Sequence, residues 1–114
     1  ATLVLSEKAD WDIAAGAAPP DAVGWRIGLP STAGPESPST EFVHIAEQAI
    51  STSGDAFQFV DIAGRRYSHI VDPRTGLGVT DRVTVTVIAP RGHQADSLAT
   101  AVSVLGVKRG LALI

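Results

Sequence analysis

Apolar and polar positions alternate in short runs for most of the chain, and only near the C-terminus does their spacing change to that of a helix. Ala1 to Leu5 and Trp11 to Ala14 are apolar runs parted by the charged Ser6 to Asp10, a pattern that predicts two short strands. Gly16 to Gly24, with Pro19, Pro20 and Asp21, is a loop by composition; Gly24 to Leu29 then resumes strand character with Trp25 and Ile27 on one face. Residues 30–40 hold Pro30, Pro35 and Pro38 among Ser, Thr and Gly and are predicted to form a surface loop. Glu41 to Ser51 stays open: Phe42, Ile45, Ala46, Ala49 and Ile50 suit a helix, and strict alternation over the same residues suits a strand.

Phe57 to Ile62 and Arg65 to Tyr67 flank Ala63-Gly64, the signature of a hairpin with a tight turn. Arg82 to Ala89 alternates Val with Thr and is the clearest strand, its Thr side expected to face water or a partner. Beyond Pro90 and Gly92, the residues Ala95, Leu98, Ala99, Val102 and Leu105 form one apolar stripe of helical period that ends at Gly106, a C-cap residue. Val107 to Ile114 is predicted to start a second short helix. No internal repeat is visible, so the expected class is α+β, an antiparallel sheet with a C-terminal helix packed on one face.

Composition narrows this further. With 114 residues, the chain has room for one domain. Hydrophobic residues at 45% and charged residues at 18% exclude disorder and coiled coil, which need far more charge. A net charge of −3 with no basic stripe argues against a nucleic acid partner. The absence of Cys removes disulfides, thiolate metal sites and a Cys nucleophile. The chain has no Met, opens in a strand-like run and stops inside a predicted helix, so a piece of something longer is expected.

Four segments carry side chains that could do chemistry. Ser51-Thr52-Ser53-Gly54-Asp55 offers small hydroxyls and a Gly through which backbone N–H groups could meet an anion; an ST-turn between two strands explains the same residues. In His69-Ile70-Val71-Asp72-Pro73-Arg74-Thr75-Gly76, His69 could act as a base near neutral pH and Arg74 could grip a phosphate with both prongs, while the Asp72 to Gly76 stretch also reads as a plain turn. In Ala95-Asp96-Ser97-Leu98-Ala99-Thr100, Asp96 and Thr100 project four apart from one helix face, two hard oxygens that Mg²⁺ could share; an Asp in a first turn opposite the helix dipole is the plainer account. The aromatics Trp25, Phe57, Phe59 and Tyr67 could stack on a ring, or simply fill the core of a small sheet.

STSGD, YSHIVDPRTG, VTVTVIAP, ADSLATAVSVLG and KRGLALI stand in an order and spacing that resemble one family, from about Trp25 to Ile114. The chain resembles the ApbE family, the FAD:protein FMN transferases. The resemblance implies that residues 1–114 are the C-terminal segment of a single ApbE-like domain of T-fold-like architecture, with helices on one side of an antiparallel sheet. It also implies Mg²⁺ and FAD, transfer of FMN to a Thr or Ser hydroxyl of an acceptor protein, and release of AMP. By the same resemblance, His69 is the base that takes the acceptor's proton, Ile70 touches FAD through its backbone, Ser53 and Gly54 lie on the phosphate side, and Asp96 and Thr100 are metal ligands.

Two other outcomes remain open at this point: hydrolysis of FAD to FMN and AMP at the same site, and a non-catalytic, degenerate flavin-binding or structural domain. The family's Gly-Gly-Asp turn stands here as Asp10-Trp11-Asp12. The missing N-terminal part of the same protein, joined to this chain or present as a separate one, is expected to complete the site, and the 114 residues alone are expected to be inactive. A bacterial periplasmic or cell-envelope location is implied by resemblance alone.

Overall fold

The computed structural model describes residues 11–31, 37–54 and 58–114. The strand expected at Ala1 to Leu5, the centre of the loop at 30–40, Asp10, Asp55 and Phe57 therefore lie outside the described residues, as does the side chain of Trp11.

A three-stranded antiparallel sheet forms the middle of the molecule, built from β1 (Trp11–Ala15), β4 (Gln48–Ser53) and β9 (Val85–Ala89), with β4 between the other two. Ile13 lies opposite Ile50, and Ser51, Thr52 and Ser53 lie opposite Val87, Thr86 and Val85. Because side chains alternate across a strand, β4 feeds two cores at once. On one face Ala49, Val85, Val87 and Ala89 meet Ala95, Ala99 and Val102 of helix α1 (Gly92–Leu105). On the other, Ile13, Ala15 and Ile50 meet Ile27 and Ile45 from a two-stranded ribbon, β2 (Trp25–Gly28) with β3 (Phe42–Ile45). Helix, sheet and ribbon thus stack as three layers.

The ambiguous stretch from Glu41 to Ser51 is neither one helix nor one strand. It is β3 and β4, which leave in different sheets through Ala46 and Glu47. Glu47 sits at φ 52°, and its N–H donates to the carbonyl of Gly16 at 2.9 Å. That turn lets Ile45 and Ile50 share one core although they come from different layers. The reading of Ser51 to Ser53 as an ST-turn is corrected, since all three are in the central strand and buried.

The Val/Thr strand is shorter than its pattern suggested. It begins at Val85 because its partner β4 ends at Ser53, the residue opposite. Its Val side faces α1, while Thr86 on the other side bonds hydroxyl to hydroxyl with Thr52 at 2.9 Å. Helix α1 runs as its stripe predicts and stops at Gly106, whose N–H donates to the carbonyl of Val102. Helix α2 (Val107–Leu113) follows. No helix among the described residues is long and apolar enough to cross a membrane.

The remaining strands form an arm. β5 (Phe59–Ile62) and β6 (Arg65–Ser68) make a hairpin, and β7 (Val71–Asp72) with β8 (Leu77–Gly78) makes a shorter one. Ala63 at φ 51° and Gly64 at φ 77° give the first hairpin the doubly left-handed turn that matches strand twist. Of the aromatics among the described residues, Trp25 packs against the core of Ile13, Ile27 and Ile50 as expected, and Phe59 joins neither core. The two cores are aliphatic, Trp25 is half-buried with its indole N–H on the carbonyl of Ala17, and Phe59 lies under the guanidinium of Arg66 at 3.5 Å.

Candidate functional site

Helix α1 presents Asp96 and Thr100 on adjacent turns of its exposed side, because Ala95 and Ala99, one position earlier in each case, are the fully buried residues against the sheet. Asp96 is the fifth residue of the helix, and the first turn carries no acid, so the reading of Asp96 as a first-turn dipole partner is corrected. Ser97 and Ser103 turn their hydroxyls back onto the helix, donating to the carbonyls of His93 at 2.6 Å and Ala99 at 2.9 Å. Thr100 behaves differently. Its Oγ1 lies 3.2 Å from Oγ of Ser53, a residue 2% exposed at the end of β4. The contact joins residues 47 apart in the chain and has no local signal in the sequence.

Gly54, next along, is seated against Thr84, where an added Cβ would stand 3.2 Å from the Thr84 hydroxyl oxygen. Two residues before Ser53, on the same face of β4, the Ser51 hydroxyl is 1% exposed and has no hydrogen-bond partner among the described residues. The donor set at Asp96 and Thr100, a carboxylate and a hydroxyl, is of the hard-oxygen kind that suits Mg²⁺. Among the described residues there is no group of three or more His, Cys, Asp or Glu side chains that could hold a metal by themselves.

The arm carries the second set of residues. His69 is exposed, and both its backbone N–H and its ring face the carbonyl of Gln58, with Nδ1 at 3.1 Å. A carbonyl can only accept, so Nδ1 carries the hydrogen, and in the neutral ring Nε2 is the nitrogen with the lone pair. Ile70 is buried; its N–H donates to Oγ of Ser68 at 3.1 Å and its carbonyl accepts from Val79 at 2.9 Å. What its backbone retains for a ligand is the second lone pair of that carbonyl. Gly78 lets β8 lie against β6, since a Cβ there would run into the carbonyl of Ser68.

Arg74 does not offer its fork outward. Its Nε and Nη2 donate to the two carboxylate oxygens of Asp72, at 2.9 Å and 2.7 Å, and its backbone N–H donates to the same side chain. The Arg74 guanidinium and backbone N–H hold the Asp72 carboxyl below the usual carboxylate range, and Asp72 in turn raises Arg74. Gly76 and Thr75 donate their N–H groups to the carbonyl of Asp72, so the stretch is the turn that its composition allowed. A cleft of about 330 Å³ lies between this turn and the C-terminal half of α1, with Tyr67, Thr80 and Ser103 in its wall; Asp96, Thr100 and His69 do not line it.

The ApbE family model matches residues 10–114. A FAD:protein FMN transferase of Vibrio cholerae is 39% identical over 94 residues, which are 82% of this chain and 28% of that protein. Among solved structures, the apo form of the Pseudomonas stutzeri flavinyl transferase ApbE is 36% identical with a TM-score of 0.70, covering 97% of this chain and 33% of that one. The ApbE protein of Thermotoga maritima is 30% identical with a TM-score of 0.72, covering 91% and 33%. The chain therefore spans about a quarter to a third of the length of the relatives it matches. The α+β architecture and the family expected from HIVDPRTG and ADSLATA are both met, and the chain belongs to the ApbE family.

Proposed function

We propose that the protein containing this chain is a Mg²⁺-dependent transferase that moves FMN from FAD to a Thr or Ser hydroxyl of an acceptor protein and releases AMP. The observation that carries this reading is the pairing of Asp96 with Thr100 on one exposed face of α1, with Thr100 tied to the buried Ser53 at 3.2 Å. The relatives named as FAD:protein FMN transferases support it at the level of the family.

In the proposed reaction the acceptor oxygen attacks the phosphorus on the FMN side of the pyrophosphate. An O–P bond forms, the bond from that phosphorus to the bridging oxygen breaks, and AMP leaves with the electron pair. His69 takes the hydroxyl proton. Asp96 and Thr100 would hold Mg²⁺, which when bound neutralises charge on the phosphate oxygens. Two protein oxygens are a minority of the six that this cation takes, so polypeptide outside the 114 residues, substrate and water are assigned the rest. The carbonyl of Ile70 and the Ser53-Gly54 end of β4 are assigned to the FAD side of the site. A periplasmic or envelope location belongs to the same reading.

The test is incubation of the complete protein with FAD, Mg²⁺ and a Thr-bearing acceptor, following acceptor mass and AMP together. Acceptor heavier by FMN, in step with AMP, is expected; AMP with free FMN and unmodified acceptor would make the protein a FAD hydrolase. Calorimetry with Mg²⁺ is expected to show a larger loss for Asp96→Asn than for Thr100→Val, since a full negative charge contributes most to a hard dication. The 114-residue chain alone is expected to transfer nothing, because so few ligands leave the pyrophosphate in water.

A further inference from the structure

We propose a positioning role for Ser53: of the two hydroxyls that meet at 3.2 Å, either of which can donate, Ser53 takes the hydrogen of Thr100 and so sets that hydroxyl's lone pairs toward the cation. This rests on the metal reading above and goes beyond it, since Ser53 was assigned there only to the phosphate side.

A hydroxyl that ligates a cation must give its hydrogen to some other acceptor, or the hydrogen competes for the same space. In α1 the ordinary acceptor is the carbonyl four residues back, used by Ser97 and by Ser103. Thr100 instead meets Oγ of Ser53, from a different element. Ser53 is well suited to hold an orientation. It is 2% exposed, sits in the central strand opposite Val85, and is followed by a Gly that packs against Thr84. Its position is therefore fixed by the sheet, whereas Thr100 is on the exposed side of the helix. Ser51 supplies an internal contrast: the same residue type on the same face of the same strand, equally buried, with no hydroxyl partner among the described residues.

The experiment is Mg²⁺ titration by calorimetry of the complete protein and its Ser53→Ala, Ser53→Cys, Ser53→Thr, Ser51→Ala and Asp96→Asn variants, each with its melting temperature. Loss of an outer partner of a metal ligand typically weakens metal binding by about 10- to 100-fold. That loss is expected for Ser53→Ala and for the near-isosteric Ser53→Cys, whose sulfur is a weak acceptor. Ser53→Thr is expected to restore binding, and Ser51→Ala to leave it unchanged. In transfer assays Ser53→Ala should need more Mg²⁺ for half-maximal rate. Combining Ser53→Ala with Thr100→Val should weaken binding no further than Thr100→Val alone, a coupling that a general loss of packing would not give.

Binding within twofold of wild type in both Ser53→Ala and Ser53→Cys, while Asp96→Asn loses it, overturns the role of Ser53 and leaves the metal reading standing. Unchanged binding in Asp96→Asn overturns the metal reading, and the proposal with it. Should Ser53→Ala fail to fold, Ser53→Cys against Ser53→Thr decides the matter.

Discussion

The layered body and the arm hold their shape by different means. In the body, every residue of the two apolar clusters comes from β1 to β4, β9 or α1, and Ile45, Ala95 and Ala99 are at most 1% exposed. In the arm, Val60, Ile62, Val71 and Leu77 are each more than half exposed, and only Ser68 and Ile70 are buried. Turns and hydrogen bonds maintain the arm instead: the Ala63-Gly64 reversal, the Asp72 carbonyl collecting two N–H groups, the guanidinium of Arg66 over Phe59. The difference falls across the proposed chemistry. The oxygens proposed for metal sit on close-packed structure, and the proposed base sits on backbone geometry.

The largest effect should come from the arm. His69→Ala is expected to lower FMN transfer by about 10² to 10⁴, the usual scale for losing a general base, with FAD affinity within a few-fold. A pH series checks it: some recovery at high pH is expected, because hydroxide partly substitutes, and near wild-type rates at every pH would remove His69 from the chemistry. Melting should barely change, since His69 is exposed and outside both cores.

The body should show the opposite pairing of effects. Ala99, 0% exposed against Val85 and Val87, has no room for more atoms, and Ala99→Leu is expected to cost about 1–3 kcal/mol by overpacking. Denaturant unfolding measures the loss. Because Thr100 follows directly, Mg²⁺ affinity should fall as well, while the Nδ1 contact of His69 with Gln58 stays intact. A destabilised variant with normal Mg²⁺ binding would break the claimed link between packing and the metal side. A smaller effect is expected in the arm for Gly76→Ala. Gly76 sits at φ +70° with open space where a Cβ would go, so only the backbone conformation resists, at about 1 kcal/mol. The transfer rate, more than the melting temperature, should report it if the turn aligns His69.

How far the sequence foretold this follows the same division. Helix α1 was legible from its stripe and its Gly106 cap, and the Ala63-Gly64 hairpin from two turn residues, because each depends on neighbours within a few positions. The split of Glu41 to Ser51 into two strands was not, since it turns on Glu47 entering the left-handed region to bond with Gly16, thirty-one positions upstream. Ser51 to Ser53 read as a turn by composition, and tertiary pairing with Val85 to Val87 made them the middle of a sheet. At the candidate site, the shared helix face of Asp96 and Thr100 was legible because i and i+4 are neighbours on any helix. The bond from Thr100 to Ser53 and the capture of Arg74 by Asp72 were not: the first needs the sheet to be folded, and the second needs the geometry of the turn.

The smallest effect tests whether charge, as well as backbone, holds the arm. Arg74 binds both oxygens of Asp72, whose side chain is 14% exposed, but the guanidinium is itself 55% exposed, so water screens the pair and its share of global stability is small. Its direction with pH is nevertheless fixed. The side-chain hydrogen bond from Arg74, then its backbone N–H, favour the ionised carboxylate in the folded state and lower its pKa. Above the ordinary carboxylate value of about 3.9 both folded and unfolded chains are ionised, and the full contribution is present. As pH falls through that value the unfolded chain takes up the proton first, and the contribution shrinks until the folded pKa is passed. The protection of Thr75 and Gly76 against hydrogen exchange, taken relative to the intrinsic rate at each pH, should fall over this range in wild type by more than in Asp72→Asn, since their N–H groups bond to the Asp72 carbonyl, while the protection of the Val87 amide in the body follows the same course in both proteins. Equal acid sensitivity of the turn in the two proteins would mean that the backbone holds the arm alone; a difference that reaches Val87 would mean that the arm and the body open together.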